Sequence, residues 1–371
     1  MATETTETMP AMALPKYQHP AETKHELDWA ELVTLDLSQF DAPGGKEKLA
    51  VQLRDAVHQV GFFYVVNHGL GQDAVDEQYA IGQEVFKLPL EEKMKHIADI
   101  ASGSYNGYRP AGMRELAPGL RDNVEMYNMF KMNGKLERSH PEVVAQHRAK
   151  VEDFQRHLVE DVVRKLLVLL AIVLDLPDEN QLLEGHRFDD ISDCHLRYMY
   201  YHARSPEENA KFGDVYVGGH TDYGTLTLLF RQPVAALQVR MADGGWKWVK
   251  PYPESITVNI ADALQFWSGG YLKSSIHRVA VPPEDQAHIN RLGLLYFVRP
   301  GSDLTLKTLE SPLLRRLGLK TDEDEAAGIK GADWVKERVR QDLEKAKEDK
   351  EKVGTKEIPV LGGLSVKYYR D

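Results

Sequence analysis

The sequence predicts an α+β protein: a double-sheet jelly roll (double-stranded β-helix) flanked by helices and preceded by a region of mixed helix and strand. Three observations predict it. From residue 191 to residue 300 the chain breaks into about eight short apolar or alternating runs separated by turn residues, the pattern of a closed two-sheet structure. Upstream, long stretches repeat their apolar residues at helical spacing. Downstream, the chain turns helical and charged, with one narrow apolar stripe.

In order, residues 1–27 are rich in Thr, Glu, Ala and Pro and read as a loose tail. Residues 28–190 form a helical region that supports the barrel. Within it, 32–37 is a short strand. Leu49, Leu53, Val57 and Val60 line one face of a helix over 46–60, which Gly61 stops. The apolar run 62–66 is a strand ended by Asn67, His68 and Gly69, and 72–86 is a second amphipathic helix. Pro89 suits the first turn of the next helix. Residues 102–121 read as loop and short strand, and 122–130 as strand. The longest helix spans 141–174: Phe154, Leu158, Val162 and Leu166 share a face, and its last turns are apolar nearly all round, so that end is buried on every side.

Residues 191–300 form the jelly roll, with strands at 195–201, 215–218, 225–230, 237–240, 246–249, 256–260, 274–281 and 292–298; Gly244-Gly245 is a hairpin turn. Residues 301–371 are a C-terminal helical extension. Its helix over 334–352 packs on the outside through Trp334, Val335, Val339 and Leu343, and Gly362-Gly363 and residues 366–369 follow.

Composition sets limits. Apolar residues make up 42% of 371, ample for a core. A net charge of −11 argues against nucleic-acid binding by bulk electrostatics. The lone Cys194 excludes an intrachain disulfide and fits a reducing compartment. The threonine-rich, acidic start has neither the basic nor the apolar region of a signal peptide, and the apolar run 166–174 is too short for a bilayer. The expectation is a cytoplasmic protein that binds neither nucleic acid nor membrane.

The chemistry centres on Gly218-Gly219-His220-Thr221-Asp222-Tyr223-Gly224. Residues two apart on a strand share a face, so His220 and Asp222 can aim at one point. His277, in a run that alternates up to Pro282-Pro283, is the best third ligand. Two neutral imidazoles and a carboxylate on one face of a metal leave the other face open, the arrangement of non-haem Fe(II) oxygenases. Among 14 histidines a lone His-x-Asp is more simply a pair of surface residues. The same three groups also suit a zinc hydrolase, and a ligand-binding barrel without catalysis would need no redox metal.

Several separate motifs favour the oxygenase. Gly61-Phe62-Phe63-Tyr64-Val65-Val66-Asn67-His68-Gly69, Phe86-x-Leu88-Pro89-x-Glu91-Glu92-Lys93, His220-Thr221-Asp222, Ser274-x-x-His277-Arg278-Val279, and Arg291 in a strand ending at Pro300 stand in this order. Together, from about residue 32 to residue 300, they resemble the isopenicillin N synthase-like branch of the Fe(II)/2-oxoglutarate-dependent dioxygenases. The resemblance implies that His220, Asp222 and His277 hold Fe(II), and that Arg291 and Tyr201 bind 2-oxoglutarate. With O2, such an enzyme oxidises an unactivated C–H bond of a small organic acid, amino acid or secondary metabolite. The outcome is hydroxylation, desaturation or oxidative cyclisation, with release of succinate and CO2. In that family residues corresponding to 102–121 border the substrate, so Arg109, Arg114 and Arg121 are candidates for a substrate carboxylate, although each alone reads as a solvated surface arginine. Phe297 and Tyr368 are further candidates, and the C-terminal segment is placed to lie over the mouth as a lid.

The Arg291 guanidinium matches a carboxylate bidentately, each such charged hydrogen bond contributing about 1.5–3 kcal/mol. By strand parity Arg197, Met199 and Tyr201 share a face, although Tyr201 also suits an aromatic core. Two departures stand out. Gly293 replaces the serine of the family's Arg-x-Ser, and Met199 the asparagine of its Asn-x-Tyr. They keep open an isopenicillin N synthase-type oxidase that uses no 2-oxoglutarate.

Overall fold

Alternation along the strands gives the larger sheet two different faces, one for helices and one for a second sheet. The computed structural model describes residues 13–320, 329–344, 354–361 and 364–370. In chain order the strands are β1 (Thr34–Asp36), β2 (Phe62–Val66), β3 (Gly107–Arg109), β4 (Glu115–Ala117), β5 (Leu120–Arg121), β6 (Val124–Phe130), β7 (His195–Tyr201), β8 (Val215–His220), β9 (Leu226–Phe230), β10 (Leu237–Arg240), β11 (Trp246–Trp248), β12 (Ile256–Ile260), β13 (His277–Ala280), β14 (Arg291–Val298), β15 (Gly354–Leu361) and β16 (Leu364–Arg370). The larger sheet runs β1-β2-β12-β9-β14-β7-β6-β3 and the smaller β11-β10-β13-β8-β16-β15; β4 and β5 form a separate hairpin.

Even-numbered residues of β7 and β14, such as Leu196, Tyr198, Leu294 and Tyr296, join the main core with Leu166, Leu167, Leu169 and Leu170 of the helix Arg164–Val173. Burying each such leucine contributes about 1.5–3 kcal/mol. Odd-numbered residues turn the other way: Met199 and Tyr201 pack with Tyr216, Ala236 and Val279 on the smaller-sheet side. Phe62 and Tyr64 of β2 likewise meet Leu237 and Val239 of β10. The jelly roll is therefore a helix layer, a large sheet and a small sheet, with the site between the two sheets.

Three expectations change. The long helix is broken into Glu142–Gln146, Arg148–His157, a π-helical segment Leu158–Val163 and Arg164–Val173. At the break His147 leaves the helical conformation and its Nδ1–H donates to the Val143 carbonyl. The tail is not loose where it is described: Tyr17 stacks on Tyr79 with centroids 4.9 Å apart, and His19 bonds Asp76 at 2.8 Å. Residues 1–12 lie outside the described residues.

The C-terminal extension is also not wholly helical. Its helix Gly331–Glu344 is driven inward, with Trp334 and Arg338 fully buried. The hairpin β15–β16 follows, and β16 pairs with β8 through Tyr369 and Gly219. An edge strand offers unpaired backbone groups, and the hairpin covers that edge of β8 at Gly219. The expected helix beyond residue 344, the Leu343 side chain, Gly362 and Gly363 lie outside the described residues. Among the described residues no helix is long and apolar enough to cross a membrane.

Gly61 shows how tightly the N-terminal region supports the site. Its φ is +73°, and an added Cβ would lie 2.1 Å from the Lys273 carbonyl oxygen. Lys273 N donates to Val57 O at 2.9 Å and Ser275 Oγ to Val60 O at 2.6 Å, tying this turn to the segment that leads into β13. Gly61→Ala should destabilise the protein by about 2–4 kcal/mol through backbone strain and overlap. Gly71→Ala, at a helix N-cap with open space around it, should stay within about 1 kcal/mol. Thermal or urea denaturation checks both.

Candidate active site

In the smaller sheet β8 and β13 are antiparallel, with His220 directly opposite His277. The two rings lie 4.5 Å apart between centroids. Asp222 stands two residues beyond the end of β8. One ligand atom from each of His220, Asp222 and His277 falls within 4.8 Å of the others, and His277 Nε2 is 3.7 Å from Asp222 Oδ2. This is the one such group of three among the described residues.

The backbone sets both histidines for ligation in the same way. His220 Nδ1 lies 2.9 Å from the Gly218 carbonyl, and His277 Nδ1 lies 3.1 Å from the Ser275 carbonyl. A carbonyl only accepts, so each Nδ1 carries the proton and each Nε2 keeps its lone pair. The Asp222 carboxylate is fixed by Thr227 Oγ1 (2.7 Å) and Asn259 Nδ2 (2.9 Å), both donating to Oδ2. Burial raises the Asp222 carboxyl, but His277, His220 and these two hydrogen bonds outweigh it and hold the group well below the usual carboxylate range. It is therefore an anion ready for a cation. The Phe62 ring meets His277 edge-on at 5.5 Å and closes one side.

A second layer holds the connecting backbone. Asp262 accepts from Thr221 Oγ1 (3.1 Å) and Ser274 Oγ (2.7 Å), while its N–H donates to the Asp222 carbonyl at 2.9 Å. Arg338 Nη2 lies 3.4 Å from Asp262 Oδ2 and donates to Thr221 O at 3.2 Å, and Trp334 Nε1 donates to Tyr223 O at 2.9 Å. The C-terminal helix thus reaches the segment carrying Asp222. The helix expected to pack on the outside thus carries a fully buried cation, Arg338.

Across the interior, β14 and β7 place Arg291 opposite Tyr201. The Arg291 Cζ lies 5.1 Å from the centre of the Tyr201 ring. Arg291 is buried, has no carboxylate partner among the described residues, and its Nε lacks any hydrogen-bond partner. Burial lowers its pKa, opposed by Tyr201 and Tyr79. A buried guanidinium without a counterion is costly unless an anion joins it. Two imidazole lone pairs beside a carboxylate fit Fe(II), and the guanidinium beside a tyrosine hydroxyl fits a carboxylate co-substrate.

Two more arginines face the same interior. Arg197 lies 4.4 Å and Arg299 5.4 Å from the Phe297 ring centre. Arg197 Nε donates to Asn128 Oδ1 at 2.6 Å; burial pushes its pKa down to about 10, with Tyr105 opposing. A Cβ added at Gly224, two residues past Asp222, would lie 3.2 Å from Arg299 Nη1, and among the described residues Nε and Nη1 have no partner. Parity with Arg291 and with Tyr201 was the available signal for both.

Of the other expected substrate residues, Arg109 is corrected. It is buried, with Nη2 2.8 Å from Asp122 Oδ2 and Nη1 donating to Val124 O at 2.8 Å, so its donors serve the fold. Arg121 is exposed and donates to Gly112 O at 2.7 Å. Arg114 is half-buried, its N–H donating to Asp122 Oδ2 at 2.7 Å. Phe297 lies on the inner face, stacked on His195 at 4.9 Å. Tyr368 is in β16, and its side chain is outside the described residues.

Comparison with known proteins agrees. Residues 32–152 match the family described as non-haem dioxygenase in morphine synthesis N-terminal, and residues 192–300 match the 2OG-Fe(II) oxygenase superfamily. The UPF0676 protein of Schizosaccharomyces pombe is 31% identical over 317 residues, 83% of this chain and 92% of its own length. A homoarginine-6-hydroxylase of Arabidopsis thaliana is 32% identical over 272 residues, 68% of this chain and 80% of that one. In fold, a full-length Neurospora crassa protein solved in complex with alpha-KG superposes with a TM-score of 0.72 at 23% identity, covering 87% of this chain and 99% of that one.

Removing groups that orient metal ligands commonly weakens metal binding about 10–100-fold. Asn259→Ala should weaken Fe(II) affinity by that factor while the protein stays folded, and Asp222→Ala should abolish stoichiometric binding. Anaerobic equilibrium dialysis with metal analysis checks both.

Proposed function

The chain belongs to the 2OG-Fe(II) oxygenase superfamily, and on that premise we propose that it oxidises an unactivated C–H bond of a small molecule carrying an anionic group. His220, Asp222 and His277 hold the Fe(II) that the family uses. Arg291 and Tyr201 take the distal carboxylate of 2-oxoglutarate. Bound in this way, iron, 2-oxoglutarate and O2 supply the oxidising equivalents, with succinate and CO2 released and the substrate hydroxylated, desaturated or cyclised.

The residues of this chain do the rest. Thr227 and Asn259 keep the Asp222 carboxylate oriented. Phe62 keeps water from one side of His277. Arg197 and Arg299, on either side of Phe297, present positive charge close to Asp222 and the triad. The observation that carries the substrate class is Arg299: a buried guanidinium beside Phe297, within reach of the Asp222 charge, whose Nε and Nη1 have no partner among the described residues. A carboxylate supplies what those donors lack. The homoarginine-6-hydroxylase among the relatives is named for an amino acid, which carries such a group. The family's use of 2-oxoglutarate weighs against the oxidase that dispenses with it.

Anaerobic addition of 2-oxoglutarate to the Fe(II) protein should produce a visible charge-transfer band. Admission of O2 should then release succinate faster with small carboxylic acids than with their neutral amides. Arg299→Ala should raise KM for an active acid about 10–100-fold, the loss of one or two charged hydrogen bonds, and leave the anaerobic band in place. Equal stimulation by acids and amides would overturn the substrate class, and no band would overturn the co-substrate.

A further inference from the structure

We propose that Gln232 replaces the serine absent at position 293 and donates a hydrogen bond from Nε2 to the carboxylate that Arg291 holds. The proposal rests on Arg291 being the 2-oxoglutarate anchor. Residues 291 and 293 share a face of β14, about 6.5–7 Å apart along the strand. Gln232 follows the neighbouring strand β9, which pairs with β14. A Cβ built on Gly293 would lie 2.2 Å from Gln232 Nε2 and 3.3 Å from Gln232 Cδ. The amide therefore occupies the volume that a serine side chain at 293 would fill. A serine at 293 would have to displace the amide from this place, so in this chain the glutamine holds the position that the serine would take.

The amide is also without a partner. Gln232 is 6% exposed, and among the described residues neither Nε2 nor Oε1 has a hydrogen-bond partner. A buried amide left unpaired is destabilising, so a ligand group at this place gains by meeting it. The segment carrying it is pinned on both sides. Tyr79 Oη donates to Arg231 O at 2.8 Å, Arg231 Nε to Pro251 O at 3.1 Å, and Gln286 Nε2 to Pro233 O at 3.0 Å. Ala235 N–H in turn donates to Gln286 Oε1 at 2.8 Å. Gln232 is thus held between fixed neighbours beside a buried cation, a placement that suits a donor to an anion.

The test is an anaerobic titration of the Fe(II) protein with 2-oxoglutarate, reading Kd from the charge-transfer band, with Fe(II) affinity and Tm measured alongside. Gln232→Leu and Gln232→Met keep bulk and remove the donor; each should raise Kd about 10–100-fold with Fe(II) affinity unchanged. Gly293→Ser alone should weaken binding by collision with the amide. Combined with Gln232→Ala it should return Kd to within about threefold of the wild type, a coupling that two independent structural effects would not give. Wild-type Kd in both the Leu and Met variants, or no recovery in the double variant, would overturn the role of Gln232. Arg291→Ala separates the two ideas. If it binds 2-oxoglutarate like the wild type, the anchor itself is wrong and the proposal falls with it. If it loses binding, the anchor stands and the Gln232 variants alone decide.

Discussion

The opposition of His220 and His277 across β8 and β13 is the constraint on which the rest depends. A one-residue slip between these strands would send an imidazole to the other side of the sheet. Several independent contacts prevent it. β10 flanks β13 on the far side, and β16 flanks β8. Gly219 admits β16, since an added Cβ would lie 2.7 Å from Tyr369 Cβ. Asp262 then ties the segment after β8 to the segment before β13 through Thr221 and Ser274. The third ligand, Asp222, inherits its position from that fixed pair.

Charge inside the barrel runs opposite to charge outside. The chain carries a net charge of −11, yet Arg197, Arg291 and Arg299 line the interior and the metal ligands include one carboxylate. Burying a guanidinium costs several kcal/mol unless it is matched, so three of them in one interior call for anions. The three differ in position: Arg291 sits beside Tyr201 on β14 and β7, while Arg197 and Arg299 lie near Phe297 toward the other end.

Local periodicity made much of this legible before any coordinates. The strands of the jelly roll and the parity of Arg197, Met199 and Tyr201 are properties of a few consecutive residues, whereas Asp222 lies beyond the end of β8 and meets His220 through the turn that follows, not through strand parity. What escaped depends on contacts between distant segments. Arg109 looked available until its pairing with Asp122 across a folded loop was seen. Arg338 lies on a helix rich in charged residues, and only its approach to Asp262 reveals its place. The hairpin β15–β16 was hidden by the lysine, glutamate and proline of β15. Gly293 read as a missing donor because nothing in the local sequence says that Gln232 fills the same space.

The most direct measurement is iron anomalous scattering from crystals of the anaerobically Fe(II)-loaded protein. The account predicts a single peak within bonding distance of His220 Nε2, His277 Nε2 and a carboxylate oxygen of Asp222, with the remaining positions facing Arg291 and Phe297. Iron lodged elsewhere, or held with the His277 imidazole turned away, would contradict it.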